Sequence, residues 1–407
     1  NIIIVLSDNT NLNKKIKKEN INKIPIIKTG EINKLIGEIS SIYYESYFVE
    51  TIAVTGTNGK TSVAEYTRQI WEKLNFKCSS IGTLGIIFDK KEKYHTQLTT
   101  PSSHETFKKL KEFNKKNCSH VIFEASSIGL DQDRLYPLKF DKVAFTNLSR
   151  DHLDYHLSIR NYINCKLKLF DEHTKKKSLA IINSDNLYSK HFLNLCLKKS
   201  IQVLDYGKKA NFLRIDTFQD NNSIKETKMI LNKKNFFFKF DVNSNFEIYN
   251  LICSLLLVFG KNLEENHFRF LKNIKNPPGR LEKVLGCKSF NIFIDYAHTP
   301  DAITNVLRAL NKIKKNKIIC LIGCGGGRDK GKRPLITKQA LKYSDTVILA
   351  DDNPRFENPS EIRDDMLKGI SDNRRIKNIG NRKKAIEYGV NILEKNDILL
   401  IAGKGHE

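Results

Sequence analysis

Long apolar runs are missing. No stretch approaches the roughly 20 residues needed to cross a bilayer, although 40% of the 407 residues are hydrophobic. The Ile2–Leu6 run is shorter than the ~7–15-residue core of a secretory leader, and no basic region precedes it. A soluble, cytoplasmic chain is therefore expected. The eight Cys are scattered, with no Cys-x-x-Cys and no Cys/His pair at zinc spacing. Cys320 and Cys324 are four apart but fall on an apparent strand and loop. Reduced, mostly buried thiols are expected. There is no internal repeat and no low-complexity segment.

Acidic residues are in deficit, and the net charge is +24. Such a charge invites a nucleic-acid reading. However, the clusters Lys14–Lys18, Lys175–Lys177 and Lys312–Lys317 lie far apart and lack interleaved aromatics for base stacking. A solvated basic surface, with no nucleic-acid or membrane partner, is the expectation; its field still draws anionic substrates.

The strongest local signal is Ala53-Val54-Thr55-Gly56-Thr57-Asn58-Gly59-Lys60-Thr61-Ser62. An apolar β-branched run enters a glycine turn, and Val63, Tyr66, Ile70 and Leu74 then mark one helical stripe. Strand, glycine loop and helix are the context of a phosphate loop. Gly56 and Gly59 let backbone N–H groups turn toward phosphate oxygens. Lys60 reaches the β- and γ-phosphates, and the Thr61 hydroxyl suits Mg²⁺. Val54 stands where the common pattern has its first Gly. The alternative is a plain glycine turn before a helix.

Length predicts two or three domains. Residues 1–48 read as a small α/β piece with strands at Ile2–Leu6 and Ile24–Lys28 and a helix near Ile32–Tyr44. Residues 49–276 alternate strands (Thr51–Thr55, Cys78–Gly82, His120–Ala125, Lys142–Thr146, Leu179–Asn183, Ile201–Tyr206) with helices (Thr61–Leu74, Ser103–Asn114, Ile159–Phe170, Phe246–Phe259). This pattern indicates a parallel sheet covered on both faces. Residues 211–241 read as two or three antiparallel strands. Asn276-Pro277-Pro278-Gly279-Arg280 is a breaker cluster, after which residues 277–407 form a second α/β unit. Ligands of such sheets sit beyond the strands' carboxyl ends, where Asp295–His298, Gly325–Arg328, Asp351–Arg355 and Gly403–Glu407 lie.

Glu124 closes the apolar run of Phe123-Glu124-Ala125-Ser126-Ser127, where a carboxylate can face a metal-bound nucleotide. Asn147–His156 closes the next strand with two His, two Asp and one Arg. His152 fits either a metal ligand or a satisfied loop histidine.

Together these stretches resemble the Mur ligase family, ATP-dependent amide-forming enzymes of peptidoglycan synthesis, from about Phe48 to Glu407. The motifs are Gly56–Thr61, Thr99-Thr100-Pro101, Glu124–Arg134, Phe145–His156, Asp295–Ala302, Gly323–Pro334, Asp352-Asn353-Pro354-Arg355 and Ala402–Glu407. The resemblance implies a three-domain α/β architecture: a partial N-terminal domain, a central phosphate-loop ATPase domain and a C-terminal Rossmann-like domain. It implies ATP contacts from Gly56, Thr57, Asn58, Gly59, Lys60, Thr61, Ser62, Asn250, Arg280 and Asp295. Asp295 alternatively reads as a strand-end cap. Thr61, Glu124 and His152 would hold Mg²⁺, with Lys60 in catalysis. Lys166 falls at the family's carbamylated lysine, although its spacing alone fits an ordinary helix-surface lysine. Thr99, Thr100, Ser126, Gln132 and Arg134 match positions that hold a UDP-N-acetylmuramoyl dipeptide. Arg328, Asp352, Asn353, Pro354, Arg355, Gly403 and Glu407 match an amino-acid pocket of the kind that takes meso-diaminopimelate. Arg355 is expected as a buried fork for the distal carboxylate, giving discrimination of ~10⁴-fold or more, and Glu407 as the partner of the distal ammonium.

Ile128, Leu157, Cys165 and Glu247 replace the family's usual His, Gly, Ala and Asn. The N-terminal domain is about half its usual family size, and the chain stops before the family's last helix and strand. A fragment of a longer product is expected, acting as a monomer. The alternatives are a lysine-adding ligase, folylpolyglutamate synthase, a nucleic-acid-stimulated NTPase, or an inactive remnant.

Overall fold

The computed structural model describes residues 4–6, 26–89, 92–221, 224–242, 244–287, 289–371 and 374–405. The first piece is a parallel pair, β1 (Ile4–Leu6) and β2 (Ile26–Lys28), followed by helix α1 (Ile32–Tyr43). The rest of the two expected N-terminal strands lies outside the described residues.

The central unit runs β3 (Glu50–Thr55), α2 (Lys60–Lys73), β4 (Cys78–Gly82), β5 (Gly85–Phe88), β6 (Glu92–Tyr94), α3 (Ser103–Lys115), β7 (His120–Glu124), α4 (Ser127–Asp131), β8 (Phe140–Phe145), α5 (Leu153–His156), α6 (Ile159–Asp171), β9 (Thr174–Asn183), α7 (Ser189–Lys198), β10 (Gln202–Gly207), β11 (Leu213–Asn221), β12 (Ile224–Leu231), β13 (Lys234–Asp241) and α8 (Asn245–Phe259). Its sheet has the order β13-β12-β11-β10-β9-β8-β3-β7-β4-β5-β6. The middle strands are parallel; β11–β13 and β4–β6 add antiparallel edges. The chain moves outward from β3 in one direction to β4 and in the other to β8, so a crevice opens at the carboxyl end of β3.

Side chains along β3 alternate between the two faces as a pleated strand requires. Ile52 and Val54 join the core beneath α2 and α8, and Ala53 joins the core beneath α3 and α6. The apolar α8 is buried nearly all round, as expected of a helix inside a core. Several starts are set by side-chain caps. The Oγ atoms of Ser102, Ser158, Ser244 and Thr299 each accept a backbone N–H two or three residues into the helix, supplying a partner the helix lacks there.

The last unit runs β14 (Glu282–Lys283), β15 (Asn291–Asp295), α9 (Pro300–Ile313), β16 (Ile318–Ile322), α10 (Lys332–Tyr343), β17 (Thr346–Leu349), α11 (Pro359–Leu367), β18 (Ile376–Asn378), α12 (Arg382–Asn391) and β19 (Ile398–Ala402). The sheet order is β14-β15-β19-β16-β17-β18, with only β14 antiparallel. Ile303, Val306, Leu307 and Leu310 bury one face of α9, the i, i+3, i+4, i+7 stripe of an amphipathic helix.

The alternating α/β reading holds. The β5–β6 hairpin, α7, β14 and β18 are additions to it. All eight cysteines are free thiols, and all but Cys287 are buried. Among the described residues no helix is long and apolar enough to cross a membrane.

Candidate active site

The turn between β3 and α2 is shaped by two glycines in the positive-φ region, Gly56 (φ 155°) and Gly59 (φ 88°). A Cβ on Gly59 would lie 2.5 Å from Asn250 Oδ1, and one on Gly56 would run into Thr146 Oγ1. Val54 is fully buried within β3, paired with Glu124 and Ala144, and is not among the positive-φ residues. No glycine is needed there. Lys60 curls over the loop and donates Nζ to Gly56 O and Thr57 O, both at 2.8 Å. Burial pushes its ammonium below the ordinary lysine range, against the pull of Glu124 and Asp151.

Glu124 ends β7 beside this loop and is 2% exposed. Its carboxylate accepts from Thr61 Oγ1 at 2.9 Å, Thr83 N at 2.8 Å and Thr83 Oγ1 at 3.1 Å. Arg280, from the Pro-Pro-Gly linker, donates Nη2 to Thr61 Oγ1 at 3.0 Å and lies over the Tyr296 ring. His152 sits at φ 52°, a strained backbone for a non-glycine residue. Its Nδ1 is buried with no partner among the described residues. Burial pushes its pKa down to about 3, against the pull of Asp151, so the ring is neutral near pH 7. Lys166 is 1% exposed, not a surface lysine. Its Nζ donates to Gly56 O at 2.8 Å. Burial, with Lys60 adding repulsion, holds it well below the ordinary range.

Opposite lies the segment after β6. Thr99 Oγ1 pairs with Thr83 Oγ1 at 3.1 Å, and Thr100 Oγ1 with Ser126 Oγ at 2.9 Å. Arg134 donates Nη1 to Thr100 O at 3.0 Å. Gln132 does not line the cleft itself; its Oε1 accepts from Arg134, and its Nε2 donates to Tyr155 Oη at 3.4 Å. Thr99, Ser126, Ile128 and Arg134 line a cleft of about 680 Å³ with Lys93 and His95 from the β5–β6 hairpin.

A second cavity of about 610 Å³ lies between the central and last sheets, lined by Asn147, Tyr206, Tyr249, Asn250, Asp301 and Arg308 among others. Glu247 points away from it and accepts from Ser244 Oγ and Asn276 Nδ2. Asp295 ends β15; its carboxylate accepts from Leu281 N and Ala297 N at 2.6 and 2.7 Å. It therefore caps the strand while facing a small neighbouring cavity that also holds Asn58, Asn250 and Arg280. Burial raises its pKa, against the pull of Arg280.

The decisive cavity, about 520 Å³, joins the two sheets. One wall is Thr57–Thr61 with Thr99, Ser126 and His152. The other is Gly323–Gly325, Arg328, Asp352, Asn353, Arg355 and Gly403. Pro354 supports the turn from behind, its carbonyl packed against Gly326. Gly403 has φ 106°, and a Cβ there would lie 3.1 Å from Asp352 Oδ2. Arg355 differs from expectation. It is exposed, not buried, because the turn after β17 sits on the open rim of the sheet. One guanidinium N–H is already donated to Gly326 O at 2.8 Å. Glu407 lies outside the described residues.

Sequence reasoning missed the contacts that close this cavity. Asp151 receives Lys332 Nζ at 2.9 Å, and Arg150 forks onto Asp329. Asp301 accepts from Asn58 Nδ2 at 3.3 Å. The only sequence signal was the density of charge in Arg150-Asp151-His152 and in Asp329-Lys330-Gly331-Lys332.

Residues 54–258 match the Mur ligase middle domain, and residues 279–405 match the Mur ligase glutamate ligase domain. The UDP-N-acetylmuramoyl-L-alanyl-D-glutamate–2,6-diaminopimelate ligase of Aquifex aeolicus is 38% identical over 387 residues, covering 95% of this chain and 79% of its own length. The enzyme of the same name from Rickettsia bellii is 39% identical over 404 residues, covering 96% and 82%. A solved structure with that name superposes at a TM-score of 0.68 with 28% identity, covering 100% of this chain and 87% of the other. A Mycobacterium tuberculosis folylpolyglutamate synthase complexed with ADP reaches 0.74 at 15% identity, covering 92% and 91%, and shares the fold. Both sheets and the cleft between them fall inside these matches, and the chain belongs to the Mur ligase family.

Proposed function

We propose that the protein is an ATP-dependent ligase joining meso-2,6-diaminopimelate to the D-glutamate γ-carboxylate of UDP-N-acetylmuramoyl-L-alanyl-D-glutamate, in cytoplasmic peptidoglycan synthesis. One observation carries this reading. The phosphate loop and the Asp352–Arg355 turn line the same cavity, so a nucleotide's terminal phosphate and an incoming amino acid would meet there. The relatives that match over most of this chain carry that activity in their names. We divide the chain into domains at 1–48, 49–276 and 277–407, and take it to act as a monomer.

In this reading ATP lies along the phosphate loop, with its nucleoside in the 610 Å³ cavity beside Asn250. The dipeptide substrate lies in the 680 Å³ cleft, where Arg134 and the Thr99 and Ser126 hydroxyls supply donors; Thr100 is buried behind them, its hydroxyl donated to Glu124 O at 2.8 Å. A γ-carboxylate oxygen attacks the γ-phosphorus and ADP leaves, giving an acyl phosphate. The diaminopimelate amine then attacks the acyl carbon; phosphate leaves and the amine loses a proton. Lys60 and Arg280 offset charge on the moving phosphoryl group. Holding all three substrates at one interface supplies proximity, worth up to ~7–11 kcal/mol in intramolecular reactions.

The donor set fits a hard cation. Thr61 and Glu124 bring two oxygens together, hydrogen-bonded to each other at 2.9 Å, and His152 Nδ1 is buried with no hydrogen-bond partner among the described residues. No three His, Cys, Asp or Glu side chains cluster as a metal site among those residues, so nucleotide oxygens would complete the shell. Mg²⁺ bound there would neutralise phosphate charge during transfer. We infer further that Lys166 is carbamylated. Burial disfavours the charged form of Lys166, and the neutral amine is a nucleophile for CO₂: its nitrogen bonds the carbon, one proton leaves, and an uncharged group becomes an anion that can approach Mg²⁺.

The test is ADP release measured with each substrate omitted in turn. The reading predicts sustained turnover only with the UDP-dipeptide and the amino acid both present. Turnover that ignores both, or responds to nucleic acid, would refute it.

A further inference from the structure

Two consecutive residues after β8 meet Asp329, ahead of α10, and Lys332, the first residue of α10, with their charges crossed. Arg150 donates Nε and Nη2 to the oxygens of Asp329 at 2.9 and 3.1 Å. Asp151 Oδ1 accepts from Lys332 Nζ at 2.9 Å. Gly331 lies against this contact, and a Cβ there would strike the Arg150 guanidinium.

The two ion pairs are not equivalent. The Arg150 side chain is 42% exposed, which makes its pair a surface tie worth little by itself. The Asp151 and Lys332 side chains are 4% and 8% exposed. A pair that deep is retained only when its remaining hydrogen-bonding needs are met. Asp151 Oδ2 meets them partly, with His152 Nε2 at 3.4 Å and His298 Nε2 at 3.6 Å. His152 comes from the central sheet, whereas His298 and Lys332 come from the last one. Docking the two bodies does not require a buried ammonium. Yet Lys332 lines the same 520 Å³ cavity as Lys60, Thr61 and Arg280.

We propose that Lys332 is a catalytic residue of this reaction and Asp151 the residue that positions it. Lys332 touches the phosphoryl group as it passes to the acceptor carboxylate, and offsets the charge on its equatorial oxygens. Asp151 holds the ammonium in line and keeps it satisfied until the phosphoryl group arrives. Because Lys332 belongs to the last sheet, phosphoryl transfer waits for that body to dock. The inference rests on the ligase reading above.

The test combines steady-state kinetics with the single-turnover burst of ADP measured without the amino acid. The proteins are the wild type, Asp151→Asn, Lys332→Met, their double variant, Lys332→Arg and Arg150→Gln, each checked for an intact melting transition. Wild type that forms no amide refutes the ligase reading itself. With an active wild type, Asp151→Asn and Lys332→Met should each slow kcat and the burst by about 100-fold, the scale of lost positioning. KM values should stay within about threefold. The double variant should be no slower than the slower single, since the pair acts as a unit. Lys332→Arg should recover part of the burst. Arg150→Gln, which breaks only the exposed tie, should stay within about threefold of wild type. A wild-type burst in Lys332→Met, losses that multiply in the double variant, or an Arg150→Gln as slow as Asp151→Asn would each overturn the proposal.

Discussion

Replacing Arg355 with Ala tests the proposal that the turn after β17 selects the amino acid. The fork was expected to be buried, where an unmet guanidinium is heavily penalised. It is instead exposed and spends one N–H on Gly326 O at 2.8 Å. Water therefore satisfies the empty fork, and no buried-charge penalty falls on L-lysine, which lacks the distal carboxylate. What remains is the net worth of the new bonds. Hydrogen bonds to charged groups contribute ~1.5–3 kcal/mol each before non-additivity. A two-bond fork on an exposed rim, discounted for solvent screening, comes to about 1–2 kcal/mol, or roughly 5- to 30-fold in kcat/KM. The expected discrimination thus falls below the ~10⁴-fold of a closed site. The assay is paired kcat/KM values for meso-diaminopimelate and L-lysine. Arg355→Ala should lose that factor for diaminopimelate and little for lysine, and Arg355→Lys should recover little, because an ammonium cannot form the fork. An unchanged ratio in Arg355→Ala would refute the assignment and move selectivity to Arg328.

Lys166→Ala should lose most activity and regain part of it with added short-chain carboxylates. Intact mass of the wild type in bicarbonate should show the gain of one CO₂, and a free ammonium would sink the idea. Leu157→Gly should stabilise the fold by about 0.5–1 kcal/mol in urea unfolding. Leu157 sits at φ 65° and is 81% exposed, so Gly relieves a ~1–2 kcal/mol backbone cost and forfeits part of that to unfolded-state entropy; a destabilised variant would contradict this. Glu357 accepts from the buried Arg333 at 2.9 Å through both oxygens, and that pairing holds its pKa at about 2, down from 4.5. A depressed carboxylate stabilises above its unfolded pKa and loses that effect as pH falls through the folded value. Glu357→Gln should therefore be weaker than wild type by on the order of 1 kcal/mol at pH 7, with the gap closing between about pH 4.5 and 2. A gap that stays constant across that range would show the contact is not electrostatic.

The phosphate loop was legible because its parts are contiguous: strand, two glycines, Lys60, Thr61 and helix span one short stretch. Glu124 was legible for the same reason, at the end of an apolar run. The two ion pairs between the sheets were not, because Arg150 and Asp329 are 179 residues apart and Asp151 and Lys332 are 181 apart. No periodicity links them. The depth of Arg355 was also out of reach, since a turn's sequence does not say whether the sheet rim above it is open. Lys166 shows the converse. Its helical spacing fits a surface lysine, and only the packing of α6 against the loop buries it. The departure from the common phosphate-loop pattern at Val54 and the departure from the family pattern at Leu157 have different physical consequences. Val54 sits in an extended strand and needs no glycine, whereas Leu157 holds a backbone that glycine adopts more easily. The β5–β6 hairpin escaped notice because its strands are four and three residues long, at or below the shortest run in which alternation can be read.

The most direct test of the central claim is product mass in a competition reaction. The protein is given ATP, Mg²⁺, UDP-N-acetylmuramoyl-L-alanyl-D-glutamate, and equal meso-diaminopimelate and L-lysine. The account predicts one ADP per amide formed and a product dominated by the diaminopimelate adduct. A dominant lysine adduct, or ADP without either product, would contradict it.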